Sequence, residues 1–238
     1  MYTVQNETVS QRIESYCRTW RLWIENAEGV ISGDSIMSAD SSMQATSLSD
    51  DIELGAVCSQ SWNMTISDTE TAFLGKEYDT YLYLVDYETS GILSDEKIPM
   101  GRFTCVKSKK SGGSVQLTMA DRLYFSDKPY VPHIPMPNWN KAVEDDICRQ
   151  LGLQNGNDYT EVRLLRDKNG RRLIDKNGKV LYSKYFYFKV SSVPKDVTMR
   201  QMLSYLASAQ GEFGYVDRYG KYVRKWYGKS VKTLDNIR

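Results

Sequence analysis

The stretch LLRDKNGRRLIDKNGKVLYSK, residues 164–184, carries one tetrapeptide twice, as Asp167-Lys168-Asn169-Gly170 and Asp175-Lys176-Asn177-Gly178. Asp, Asn and Gly at short spacing are the residues of a calcium loop. An EF-hand loop needs Gly at position 6 and a bidentate Glu at position 12. Counted from Asp167, Gly stands at position 4 and position 12 is Gly178. The spacing therefore argues against calcium and for turns. Asn-Gly between strand-like flanks is a hairpin signal of type I′, in which both central residues take positive φ. Two such turns predict a three-strand β-meander near 161–189. Its bases Arg166, Arg171, Arg172, Lys176 and Lys179 are candidate contacts to a neighbouring subunit.

Other chemistry finds little support. The cysteines Cys17, Cys58, Cys105 and Cys148 form no C-x-x-C pair, so they are poor zinc ligands and read as thiols. The single histidine, His133, sits between prolines with no nucleophile motif beside it. There is no G-x-S-x-G elbow, no phosphate loop and no H-E-x-x-H. Asp50-Asp51 and Asp145-Asp146 are adjacent in sequence, which does not make them face one another. The expectation is a protein that is not an enzyme, with no catalytic residue, metal or cofactor.

Charge is unevenly distributed. Net charge is +1, but residues 1–100 hold 5 Lys/Arg against 17 Asp/Glu, and residues 101–238 hold 26 against 13. Such a split suggests two domains with different solvated faces, complementary faces on successive copies, or an acidic surface that repels nucleic acid while the basic half binds something anionic. No membrane-length apolar run and no signal-peptide pattern is visible.

The elements that would position these residues change character midway. In 1–128, alternation predicts at least five strands. Trp20, Leu22 and Ile24 share one face, as do Trp62, Met64 and Ile66. Two further strands meet through KKSGG. Strands without a convincing helix suggest a small barrel or sandwich. Four of the six prolines fall in 129–138, which reads as a linker. Residues 139–238 read as α+β. One helix carries Trp139, Val143, Ile147 and Leu151, and a second carries Met199, Met202, Leu203 and Leu206. Gly152 and Gly211 are placed to end them. A hairpin turning at Tyr219-Gly220 follows.

Several segments together resemble the tail hub (baseplate hub) proteins of bacteriophages and prophages, a family that includes the N-terminal part of tail-tip proteins. They are DDIELGAVCSQSWNMTI, IPMGRFTCVKSKKSGGSVQLTMADRLYFSDKPYV, AVEDDICRQLGL and DVTMRQMLSYLASAQGEFGYVDRYGKYVRKWY, in the family's order. The resemblance implies an α+β, mainly β chain with an N-terminal tail-tube-like β-barrel and a smaller α+β domain with two helices and β-hairpins. It implies a ring of copies, trimeric in the family, that joins the tail tube to the tip. The tape-measure protein and DNA would pass through it without specific binding. The implied partners are the chain itself and neighbouring tube, distal-tail and tip or spike proteins. The implied location is the virion tail, and the bacterial cytoplasm before assembly, with no membrane anchor. Family chains supply two barrels, whereas this chain ends at VKTLDNIR after one. It thus reads as a piece of a longer chain or as a shorter relative whose second barrel comes from elsewhere. The meander near 161–189 reads as an addition to the family framework. The acids of 1–100 would face the channel and keep DNA moving. The competing expectation is a nucleic-acid-binding module using the basic C-terminal half.

Overall fold

Strict alternation of apolar and polar side chains builds the first of two units. The computed structural model describes residues 19–39, 44–46, 54–67, 72–85, 96–159, 162–164, 171–180, 182–184 and 187–226. The first unit comprises 1–50, 58–126 and 215–221, and the second 51–57, 127–214 and 222–238. Eight strands belong mainly to the first: β1 (Thr19–Asn26), β2 (Gly29–Ile31), β3 (Ile36–Ala39), β4 (Gln44–Thr46), β5 (Val57–Ile66), β6 (Glu77–Val85), β7 (Ile98–Ser111) and β8 (Ser114–Ala120). Their order is β5-β8-β7-β6-β1-β2, with β3 and β4 also paired to β5. Neighbouring ladders are antiparallel.

One face of this sheet is apolar. Ile24, Trp62, Met64, Ile66, Phe103, Val115, Leu117 and Met119 are buried together, with Phe73 and Tyr78. Trp62 meets Phe103 edge-on at 5.7 Å between ring centroids. Each such buried side chain stabilises the fold by about 1.5–3 kcal/mol. The alternation in SWNMTIS is as expected: Trp62, Met64 and Ile66 face in, and Asn63 and Ser67 are exposed.

Among the described residues, the closed barrel expected from the family resemblance is not formed. The ladder path is open, and among the described residues no ladder joins β2 to β3. The reason is local. β2 and β3 are three and four residues long. Each pairs with a longer neighbour, β1 or β5, and the turn through Ser32–Ser35 links them without a ladder of their own. The broader expectation, mainly β with two helices, describes the chain correctly.

The second unit is built around two helices. β9 (Asn138–Trp139) leads into α1 (Asn140–Gln150), followed by β10 (Gln154–Asn155), β11 (Val162–Leu164), β12 (Tyr182–Lys184) and β13 (Lys189–Val190). α2 (Met199–Ser208) follows, then β14 (Glu212–Val216) and β15 (Lys221–Trp226), of which residues 215–221 count with the first unit. α1 buries Val143 and Ile147 and stops at Leu151, where Gly152 takes φ 68°. Trp139, expected on the apolar face, is instead the half-exposed residue at the helix start. α2 opens with a capping box: the Thr198 hydroxyl accepts from the Gln201 N–H, and the Gln201 side chain accepts from the Thr198 N–H. Met199, Met202, Leu203 and Leu206 form its buried stripe.

The Pro-rich run is tied down along its length. Tyr130 N–H donates to Val197 O, and the Tyr130 hydroxyl and His133 N–H both donate to Asp146 Oδ2. No described helix is long and apolar enough to cross a membrane.

Candidate functional site

The doubled tetrapeptide resolves into a turn at its second copy; the first copy, with Arg166, lies outside the described residues. Asp175 N–H donates to Lys179 O, and Gly178 N–H donates to Asp175 O. The Asp175 Oδ1 atom accepts from the Asn177 and Lys179 N–H groups, both at 2.8 Å. Gly178 has φ 79°, while Asn177 keeps a negative φ. This is therefore not the type I′ turn that Asn-Gly suggested. It is a turn in which only the fourth residue needs the left-handed region. The Asp175 carboxylate thus serves the turn through Oδ1. Asp217-Arg218-Tyr219-Gly220-Lys221 forms the same set of bonds, with Gly220 at φ 74°.

Arg171, Arg172, Lys176 and Lys179 are exposed around the first of these turns. The strands there are slight: an isolated bridge joins Ile174 to Val180, and β11 pairs with β12 over three residues. No group of three or more metal-ligating side chains occurs among the described residues. Cys58, Cys105 and Cys148 carry thiols. Burial pushes the Cys148 thiol well above its ordinary pKa, so it is a poor nucleophile.

The second unit holds a buried charge cluster that its sequence conceals. Glu144 lies on the buried face of α1, Glu212 opens β14, and Arg224 sits in β15; the two acids and the arginine are 0–4% exposed. Arg224 Nη2 is 3.2 Å from Glu144 Oε2, and Nη1 is 3.1 Å from Glu212 Oε2. The Tyr159 hydroxyl donates to Glu144 Oε2 at 2.7 Å. The Asn157 amide donates to Glu144 Oε1, and its carbonyl accepts from the Arg224 backbone N–H. Burial raises the Glu144 pKa, against the lowering effects of Arg224, Tyr159 and Asn157. Burial works most strongly against the Arg224 charge, but Glu144, Tyr159, Tyr222 and Glu212 together outweigh it, and the guanidinium stays protonated. Gly214 leaves room beside the cluster, since a Cβ there would lie 2.3 Å from the Tyr222 hydroxyl. Sealed from solvent, these carboxylates have no route to a substrate. The cluster ties together α1, the loop after β10, and strands β14 and β15.

The first unit carries an exposed polar surface. On the outward face of β5, β8 and β7, Asn63, Thr118 and Lys107 lie side by side across the ladders, and so do Thr65, Gln116 and Lys109. The Thr118 hydroxyl donates to Asn63 Oδ1 at 2.9 Å. These six residues, with Ser38 and Ala39, line an open groove of about 510 Å³. A bulge determines their orientation. Phe103 and Cys105 face the core, so uninterrupted alternation would turn Lys107 and Lys109 inward as well. The ladder shifts between Cys105 and Lys107, leaving Val106 as an extra residue. The lysines that follow then face outward.

Chain similarity adds little to this geometry. No family model matches the chain, and no curated protein matches it. Among solved structures, it is similar to a prophage MuSo2 43 kDa tail protein from Shewanella oneidensis at 10% identity, with a TM-score of 0.47. That alignment covers 89% of this chain and spans 57% of the tail protein's length.

Proposed function

We propose that this chain is a structural component of a phage or prophage tail, in the hub or baseplate that joins the tail tube to its tip. It acts by assembly with copies of itself and with neighbouring tail proteins, not by catalysis. The ring so formed passes the tape-measure protein and DNA.

One observation carries this reading: the segments that resemble tail hub proteins coincide with the framework of the fold. They supply β5, the β7–β8 hairpin, α1, and the run from α2 through β14 and β15. The buried cluster falls within them too, with Glu144 in one segment and Glu212 and Arg224 in another. The exposed turn at 175–179 lies outside them, which fits an added surface feature.

The test is location. Tail particles purified from cells producing the phage are probed with gold-labelled antibody to this chain. Label at the junction of tube and tip is expected. Particles that lack the chain would overturn the reading.

A further inference from the structure

Lys107 and Lys109 differ from five cations of their unit that are paired with acids. Arg21 pairs with Asp34, Lys76 with Glu28, Lys97 with Glu25, Arg102 with Asp79 and Arg122 with Glu77. Lys107 and Lys109 face outward and pair with no carboxylate among the described residues. Two residues apart on a strand, their side chains are spaced by about 6.7 Å along the face.

The same sequence contains a matching acidic pattern. The five pairs above neutralise most of the described acids of residues 1–100. Eleven more acids, against two bases, lie at positions 1–100 outside the described residues. Six of them form three Asp-x-Glu triplets: Asp51 with Glu53, Asp68 with Glu70, and Asp86 with Glu88. In extended chain, such a triplet sets two carboxylates on one face at the same spacing of about 6.7 Å.

Resting on the reading that copies of this chain assemble together, we propose that the outward face of β5, β8 and β7 docks a second copy of the chain. Lys107 and Lys109 pair with an acidic Asp-x-Glu triplet of that copy. Asn63, Thr65, Gln116 and Thr118 give the groove between them side-chain donors and acceptors for the incoming backbone. A single-stranded nucleic acid fits the face less well, because no aromatic side chain lines the groove for base stacking.

Sedimentation of the full chain over a range of concentrations, at low and high salt, tests this. The wild type is expected to self-associate at low salt and to weaken at high salt, as screened ion pairs do. K107E/K109E should move the association midpoint up by about tenfold or more, a loss of about 1.4 kcal/mol. K107Q/K109Q should give a smaller shift, and K128E/K195E, at exposed lysines that do not line the groove, should leave the midpoint unchanged. Unaltered circular dichroism melting confirms that each variant is folded. Equal association by wild type and both Lys107/Lys109 variants would overturn this surface and leave the tail reading standing. A wild type that stays monomeric throughout would overturn the second copy as occupant; antibody labelling of tails decides the tail reading separately. DNA binding at low salt that K107E/K109E abolishes would assign the face to nucleic acid instead.

Discussion

Arg224 and Lys107 are both strand cations, one in each unit, with opposite surroundings. Arg224 is 4% exposed and held between Glu144 and Glu212. Lys107 projects into solvent beside Lys109, with an acid partner for neither among the described residues. A guanidinium can bridge two carboxylates because its donors point in fixed, diverging directions. An ammonium on a flexible stem does that poorly but remains hydrated and available to a partner. The difference separates charge that holds a unit together from charge that presents a surface.

The largest expected effect comes from breaking the buried side of this comparison. Arg224→Met strands Glu144 and Glu212 without a counter-charge and should cost about 3–5 kcal/mol of stability. Urea unfolding of the second unit measures this. Adding Glu144→Gln to that variant should recover part of the loss. If Arg224→Met alone unfolds at the wild-type midpoint, the cluster does not hold the unit together.

An intermediate case lies in the first unit. Asp121 is buried and accepts only neutral donors, the Gln60 and Tyr124 N–H groups among them. Burial pushes its carboxyl up to about 6 from 3.8. The folded state therefore holds this proton more tightly than the unfolded state. The contribution to stability is full below pH 3.8 and is lost as pH rises through about 6. Each tenfold difference in proton affinity between the two states corresponds to about 1.4 kcal/mol. Measured from pH 4 to 8, wild type should lose stability relative to Asp121→Asn across that window. A difference independent of pH would mean that the carboxylate is not destabilised by burial.

The twin turns give a finer contrast. Gly178→Ala should cost about 1 kcal/mol, because alanine resists positive φ. Gly220→Ala meets the same restriction, and its Cβ would also lie 3.3 Å from Arg102 Cβ, so its loss should be larger. Thermal melts of the two variants rank them. The smallest effect belongs to the exposed side: Lys107→Glu with Lys109→Glu should change stability by less than about 0.5 kcal/mol. A large loss would show that these lysines serve the fold itself.

Local features of the fold were legible in the sequence. Alternation at Trp62, Met64 and Ile66, the α2 stripe and the glycines ending both helices all depend on near neighbours. The buried cluster was not, because Glu144, Tyr159, Glu212 and Arg224 come from segments far apart in the chain. Its only local signs were a Glu beside Val143 on the apolar stripe and an Arg sharing parity with Tyr222. The barrel expectation failed at short strands, where pairing is set by competition between neighbours. The turn type was not legible, because Asn-Gly also fits a turn in which Asp supplies the acceptor and only Gly leaves the ordinary backbone region.

The bulge at Val106 changes how this hairpin tolerates alterations in length. Thr104 and Cys105 face Ala120 and Met119, and the next ladder pair is Lys107 with Thr118. Removing Val106 would leave a regular strand in which every one of those pairs survives and the lysines still point outward. A deletion of one residue inside a strand ordinarily inverts everything beyond it. Here the chain carries a spare position, so the hairpin can lose a codon at 106 while core and surface keep their assignments.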